Sequence, residues 1–491
     1  MVEVPLAPDA RTRRDLEEAV PSVASSLDGR RFSFRTALPG LTLMPGDYLR
    51  IGADRLGHVH SIEVAAHGPV SLAQGHGVLL DGLDVPFHEE VFVAASADLV
   101  VDWVERTRPA RATLDVGTLS RVPAVRFPLD AGGFDRHTFF CGQSGSGKTY
   151  ALGTVLERLL TETSLRIVVL DPNSDFVRLG EVRDDVPPDV AQAYRAAAAE
   201  IAVRRAGDVG ADPDADGSDG DRLHVNFRNC SADEQAAILK LDPIRDREEY
   251  GALADLVDSD TLEAAGGGVA ELRGLLAAAA RPETRSLGTR LRNLGIDRWQ
   301  VWSQGEAGSV QELVAPGGPR CVVVDLGSLG TPGEQAVAAE AVLAALWRRR
   351  SEREPVLIVI DEAHNVCPRV PGDAVTAMAS ELTARIAAEG RKFGLYLLVS
   401  TQRPQRVNEL VVSQCDNLVL MRMNAAADLA YLADTLSFAP EPLLSRATDF
   451  RQGEALVAGK IASHATFARF GPRIAQEGGS DVPTAWAGTG R

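Results

Sequence analysis

Gly142-Gln143-Ser144-Gly145-Ser146-Gly147-Lys148-Thr149 reads G-x-x-x-x-G-K-T, and its flanks decide what it means. His137-Thr138-Phe139-Phe140-Cys141 enters it as an apolar strand, and Leu152, Val155, Leu156, Leu159 and Leu160 follow at helical spacing. Strand, glycine-rich turn and helix together make a phosphate cradle. Glycines let successive backbone N–H groups turn inward, the helix N-terminus adds a favourable partial charge, and Lys148 reaches the β- and γ-phosphates. Average composition gives on the order of 0.01 chance matches in a chain this long. The candidate nucleotide-binding residues are Gly142, Gln143, Ser144, Gly145, Ser146, Gly147, Lys148, Thr149 and Tyr150, with the Thr149 hydroxyl a ligand for Mg2+. The expected ligands are ATP and Mg2+.

At 491 residues, 45% apolar and 24% charged, the chain has the make-up of a globular protein of several domains. No apolar stretch approaches the roughly 18 residues of a membrane span, and Arg11, Arg13 and Arg14 run into Asp15-Leu16-Glu17-Glu18 instead of a secretory leader. The cysteines (Cys141, Cys230, Cys321, Cys367, Cys415) lack C-x-x-C spacing, so reduced core thiols in a cytoplasmic protein are expected. A net charge of −17 argues against indiscriminate coating of DNA but permits a local basic channel. Lysine occurs only at 148, 240, 392 and 460, so phosphate-backbone contacts would fall mostly to arginine.

Residues 1–30 read as an N-terminal extension. Over 31–96, short strands without intervening helices (Phe32-Ser33-Phe34, Asp47 to Ile51, Leu56 to Val64, Gly77 to Leu80, Glu90 to Ala94) predict a small β-barrel. Residues 97–130 read as a connector. From 131 to 475 strands and helices alternate. The strands Leu165 to Leu170, Cys321 to Val324, Val356 to Ile360, Leu395 to Val399 and Leu418 to Leu420 are apolar throughout, as in a mainly parallel sheet. Glu334 to Arg349 and Ala374 to Ala388 are helical runs between them. A mainly helical insertion at about 181–319 interrupts this α/β domain. Inside it, Asp212-Pro213-Asp214-Ala215-Asp216-Gly217 imitates half a calcium loop, but Leu223 stands where the bidentate Glu belongs, so an acidic surface loop is expected. Residues 476–491 read as a flexible tail.

Val356 to Ile360 ends in Asp361-Glu362, two carboxylates at a strand tip. After a P-loop, this is the Walker B pattern: Asp361 orients Mg2+ and Glu362 polarises the attacking water, which implies hydrolysis. Gln402, at the tip of the strand after Walker B, is placed to sense a γ-phosphate or to form a polar turn before Pro404. Asp171, at the tip of the strand after the P-loop helix, is placed near the nucleotide or caps a turn before Pro172. His364 has no metal-type partner spacing and reads as structural.

These segments resemble the HerA family of hexameric DNA-translocating ATPases, within the HerA/FtsK group. The resemblance rests on Arg136-His137, Asp171-Pro172-Asn173-Ser174-Asp175-Phe176, Ile360-Asp361-Glu362-Ala363-His364, Ala388-Glu389-Gly390-Arg391-Lys392-Phe393-Gly394, Thr401-Gln402-Arg403-Pro404 and Ser413-Gln414-Cys415. It covers about 131–180 and 320–470 well and the first 130 residues weakly. It implies a RecA-like core behind a β-barrel, a homo-hexamer with ATP at subunit interfaces, and Arg391 and Arg136 reaching a neighbour's nucleotide, where the alternative is a surface ion pair. The family's usual Gly-Glu after Asp-Pro is Asn173-Ser174-Asp175 here, so no role is carried over to Asp175. The expected function is translocation of double-stranded DNA, with a separate nuclease or effector subunit, in end processing or antiviral defence. A conjugation- or secretion-type ATPase and a nucleotide-gated scaffold are the alternatives.

Overall fold

The computed structural model describes residues 19–67, 70–82, 84–207, 222–258, 268–302 and 308–478. The chain divides into two units, Met1–Gly133 with Asn417–Gly471, and Phe134–Asp416 with Pro472–Arg491. Asn417–Gly471, which the sequence reading assigns to the 131–475 α/β domain, groups instead with the N-terminal unit.

In the first unit, β1 (Val23–Ser26), β2 (Arg31–Ala37), β3 (Tyr48–Ile51), β4 (Arg55–His67), β5 (Val70–Leu79) and β6 (Phe87–Ala94) close into a barrel in the order β1-β2-β5-β4-β3-β6. Its first strand lies upstream of residue 31, where polar Ser25 and Ser26 hid the pattern. Strand β2 alternates, burying Phe32, Phe34 and Thr36 and exposing Arg31, Ser33 and Arg35. The two rings lie opposite glycines, Phe32 pairing with Gly77 and Phe34 with Gly75. A β-carbon at Gly77 would come within 2.4 Å of the Phe32 ring, so the interior has room for the aromatics only because the facing strand carries none.

The expected connector is structured. It forms α1 (Ala97–Thr107), N-capped by the Ser96 hydroxyl, and a hairpin of β7 (Thr113–Leu119) and β8 (Arg126–Asp130).

The second unit begins with β9 (Thr138–Cys141), α2 (Lys148–Glu162) and β10 (Arg166–Asp171). Helices α3 (Pro188–Ala198), α4 (Ala232–Ile238), α5 (Arg247–Asp258), α6 (Val269–Ala278) and α7 (Pro282–Leu294) occupy about half of the described part of 181–319. That segment also supplies a strand that the apolar pattern missed, β11 (Ile201–Arg204), which extends the sheet beside β12 (Cys321–Asp325). Its four residues are all half-buried, as at the edge of a sheet. The calcium-like loop at 212–217 lies outside the described residues, as does most of the 476–491 tail. Gln476 and Gly478, at the start of that tail, donate backbone hydrogen bonds to Glu181 and Asp175.

Helix α8 (Pro332–Arg348) leads to β13 (Val356–Ile360), and α9 (Ala374–Glu389) to β14 (Leu395–Thr401). Strands β11-β12-β10-β13-β14-β9 run in that order and all pair in parallel. The strands β12 and β13 are wholly buried, so Val and Ile on both faces meet helices. Parallel pairing brings the C-terminal tips of β9, β10, β13 and β14 to one edge.

Back in the first unit, β15 (Asn417–Met421), β16 (Glu454–Gly459) and β17 (Thr466–Phe470) pair antiparallel, and β17 continues onto β7. Leu418 to Leu420 thus pairs antiparallel with β16. An all-apolar strand reports burial on both faces and says nothing about direction.

Between barrel strand β4 and the β16–β17 turn sits a cluster of imidazoles. His58 is fully buried, its ring centroid 4.9 Å from both Tyr48 and His464 and 5.4 Å from His60, and neither of its ring nitrogens has a hydrogen-bond partner. Burial lowers the pKa of His58 well below its usual range, and holds His60 at about 4 and His464 at about 3, helped by neighbouring positive charge from Arg31 at His60 and from His60 at His464. The unfolded chain, with histidines near 6.5, takes up more protons than the folded one below that pH. Stability is thus fully present above about pH 6.5 and declines as the pH falls toward 4. The thermal midpoint should drop steadily across this window, and His60→Gln should flatten the slope; an unchanged slope would show that His60 does not contribute.

Candidate functional site

The P-loop sits between β9 and α2. Gly145 (φ +73°) and Gly147 (φ +89°) adopt the left-handed backbone that the inward turn of the cradle needs, and Gly147 caps α2. Gly142 N–H donates to Thr401 O at 3.4 Å, which ties the loop's entrance to the tip of β14. Ser146 is buried and its hydroxyl has no protein partner. The Tyr150 hydroxyl, expected beside nucleotide, accepts the Arg473 N–H at 2.9 Å, so it also anchors the segment after residue 472.

Lys148 is 5% exposed and its ammonium is the hub of the site. It donates to Asp361 Oδ1 at 2.6 Å and to Ser400 Oγ at 2.9 Å, and lies 3.2 Å from Glu362 Oε1. Burial alone would lower its pKa; the charges of Asp361 and Glu362 outweigh this and raise it, so the group is cationic. Ser400 also donates to Asp361 Oδ1 at 2.7 Å, leaving Asp361 Oδ2 buried without a partner. Glu362 is held at φ +40°, a backbone conformation that non-glycine residues adopt only under constraint. Its Oε2 accepts the Gln402 N–H at 3.3 Å and lies 3.3 Å from His364 Nδ1, which also contacts Thr401 Oγ1 at 3.1 Å. Burial holds the His364 imidazole below its usual range despite the Glu362 charge. His364 thus braces the strand tip, and the Gln402 backbone, on the same residue, meets the candidate base.

Asp171 caps the turn before Phe176 and stands beside the Walker B aspartate. Its carboxylate accepts backbone N–H groups of Asn173 (3.3 Å), Asp175 (3.0 Å) and Phe176 (2.8 Å), capping the turn. It also belongs to a trio with Asp175 and Asp361 whose oxygens lie within 4.8 Å of one another. Burial lifts Asp171 to about 7 and Asp175 to about 6, with the Asp361 charge adding to both. Thr149 Oγ1 donates to Asp175 Oδ2 at 3.4 Å. An all-oxygen set around the unpartnered Asp361 Oδ2 suits Mg2+, which binds through one or two carboxylates, a hydroxyl and water. Asp175 was passed over because its motif departs from the family pattern. The signal was its position four residues after Asp171, which the turn brings back against the start of α2. Ser400 is the second residue missed; a hydroxyl has no sequence signature for bridging a lysine and a carboxylate.

Arg136 and Arg391 lie elsewhere. Arg136 precedes β9 and Arg391 precedes β14, so both occupy the edge opposite the P-loop. The seven residues of β14 put roughly 20 Å between the two edges. Arg391 Nη1 is 2.9 Å from Asp416 Oδ2, and Arg136 Nε is 3.7 Å from the same oxygen. The surface ion pair and the exposed position both hold for these arginines.

Comparison with known proteins places this geometry. The family "Helicase HerA, central domain" matches residues 114–264. The DNA double-strand break repair helicase HerA of Pyrococcus furiosus is 24% identical over 403 residues, 71% of this chain and 67% of that one. Over these segments the chain is similar to HerA helicases. The HerA of Sulfurisphaera tokodaii is 29% identical over 174 residues, a match spanning about a third of each chain (34% and 34%). Among solved structures, VirB4 of Thermoanaerobacter pseudethanolicus superposes with a TM-score of 0.52 at 14% identity, covering 74% of this chain and 98% of that one, a likeness of fold alone. The P-loop lysine, the paired carboxylates and the Gln402 backbone N–H lie in one cluster. Among the described residues no helix is long and apolar enough to cross a membrane.

Proposed function

We propose that this chain hydrolyses ATP and uses the energy to move double-stranded DNA through a homo-hexameric ring. The observation that carries the hydrolytic part is the contact of one buried lysine with both Walker B carboxylates. In this reading the P-loop N–H groups and Lys148 bind the phosphates, and Glu362 accepts a proton from the attacking water. Its strained backbone and the Gln402 N–H fix the direction of Oε2. Thr149, Asp361 and Asp175 would hold Mg2+, which neutralises charge on the phosphates. Asp171 keeps the turn that carries Asp175 in place.

The DNA part rests on the HerA likeness, as do the ring, the small barrel ahead of a RecA-like core, and a separate nuclease or effector partner in end processing or antiviral defence. The mainly helical 181–319 insertion would then decorate the ring. Stimulation of ATP turnover by duplex DNA tests the motor; turnover indifferent to duplexes of every length and end structure would remove it.

The trans assignment of the arginines yields a separate expectation. Arg391→Ala should bind ATP yet lose turnover by about 10³-fold, the scale of an arginine acting on a transferring phosphoryl group. Mixed with Lys148→Ala chains it should regain activity, because a mixed interface can pair an intact P-loop with an intact arginine. A mixture as inactive as its components would exclude shared sites.

A further inference from the structure

We infer that Asp416 is a positioning residue for the catalytic arginines, presenting Arg391 and Arg136 together to the triphosphate of a neighbouring copy. The inference rests on the shared-site reading above and deepens it. Arg391, Arg136 and Asp416 come from three separate stretches of chain, and the Asp416 carboxylate is where they converge, at 2.9 Å and 3.7 Å through the same oxygen. All three side chains are 34–44% exposed, at the edge opposite this chain's own P-loop. A guanidinium carries five N–H donors in a planar fork, so an arginine held by Nη1 keeps donors for a phosphate. Asp135, 3.7 Å from Arg136 Nε, brings the local charge to balance, which lets two cations stand side by side.

The backbones beneath these side chains are locked. His137 is fully buried; its Nδ1 accepts the Leu397 N–H at 2.9 Å, so Nε2 carries the proton and donates to Ala387 O at 2.9 Å. One imidazole therefore ties the residue after Arg136 to the end of the helix leading into Arg391 and to the strand following it. The His137 carbonyl in turn accepts the Asp416 N–H at 3.0 Å. Two part-exposed arginines thus stand on a pinned base with the Asp416 carboxylate between them. Preorganisation of this kind lowers the entropy lost when the fork meets phosphate.

The experiment measures ATP turnover in the full-length protein with duplex DNA. Asp416→Ala should lower kcat about 10-fold with KM for ATP within about twofold, and Asp416→Asn, which keeps an oxygen acceptor, should recover most of the loss. Thermal midpoints should stay level, since the side chain is half-exposed; should Asp416→Ala fail to fold, Asp416→Ser repeats the same arm. Mixing Asp416→Ala with Lys148→Ala chains should restore turnover, because the defect lies on the arginine-donating side. Unchanged kcat in Asp416→Ala alongside an inactive Arg391→Ala would overturn the inference while leaving shared sites intact. A kcat loss that mixing does not restore would also overturn it, placing Asp416 within its own chain's fold. Full activity of Arg391→Ala would take down the shared-site reading and this inference with it.

Discussion

Lys148→Ala is expected to lose ATP turnover by about 10³-fold or more, because it removes the donor aimed at the developing phosphate charge from a water-poor site. The reason is local. Lys148 is the cation within hydrogen-bonding distance of Asp361, and it also neutralises Glu362, with Asp171 and Asp175 nearby. Removing one partner of a buried charged set leaves the others uncompensated, which costs about 3–5 kcal/mol unless a carboxylate takes up a proton. The variant should therefore be less stable than the parent at neutral pH, and the deficit should shrink as the pH is lowered and the carboxylates protonate. Steady-state turnover and thermal melting between pH 5 and 8 check both parts. Turnover near that of the parent would mean that Lys148 serves only as the counter-ion of Walker B. A pH-independent stability deficit would mean that lost packing, and not charge, dominates.

Glu362→Gln should bind ATP with near-parental affinity and hydrolyse it about 10²-fold or more slowly, the range of a positioned general base. The amide is close in size and retains an oxygen for the Gln402 N–H, so the strained turn at φ +40° should persist. What disappears is the basicity of the group. Because Glu362 also offsets the Lys148 charge, the variant should hold triphosphate at least as tightly as the parent. Equilibrium nucleotide binding together with single-turnover hydrolysis separates the two quantities. Parental hydrolysis would remove Glu362 from proton transfer and shift attention to Asp175. Loss of binding in step with hydrolysis would indicate a collapsed turn.

The buried core strands were legible because strands covered on both faces are written in Val, Ile and Leu. Cys321 to Val324 and Val356 to Ile360 are such runs, and their carboxylate tips mark the candidate ligand edge. β11 was not legible, since a four-residue, half-buried edge strand, Ile201-Ala202-Val203-Arg204, is too short to set a pattern beside an Ala-rich helix. The same limit applied to the tail end of the α/β region: Leu418 to Leu420 is apolar like its predecessors, yet it pairs antiparallel with β16 and packs with the other unit. Within the candidate site, Lys148 and Thr149 were legible from the fixed spacing of the P-loop, and Asp361, Glu362 and Gln402 from their places at strand tips. Asp175 and Ser400 were not, because any short polar side chain could stand there, and only folding brings them within reach of Thr149 and Lys148.

The chain's own text determined that a glycine-rich turn precedes a helix and that two carboxylates end a core strand; these are local consequences of backbone sterics and of burial. The tertiary structure decided which distant groups meet: that one ammonium joins β13 to β14 through Asp361 and Ser400, and that Arg136, Arg391 and Asp416 share an edge remote from their own P-loop. Local patterns follow from the interactions of near neighbours along the chain. Convergence depends on strand order and direction, which the burial of apolar side chains rewards without specifying.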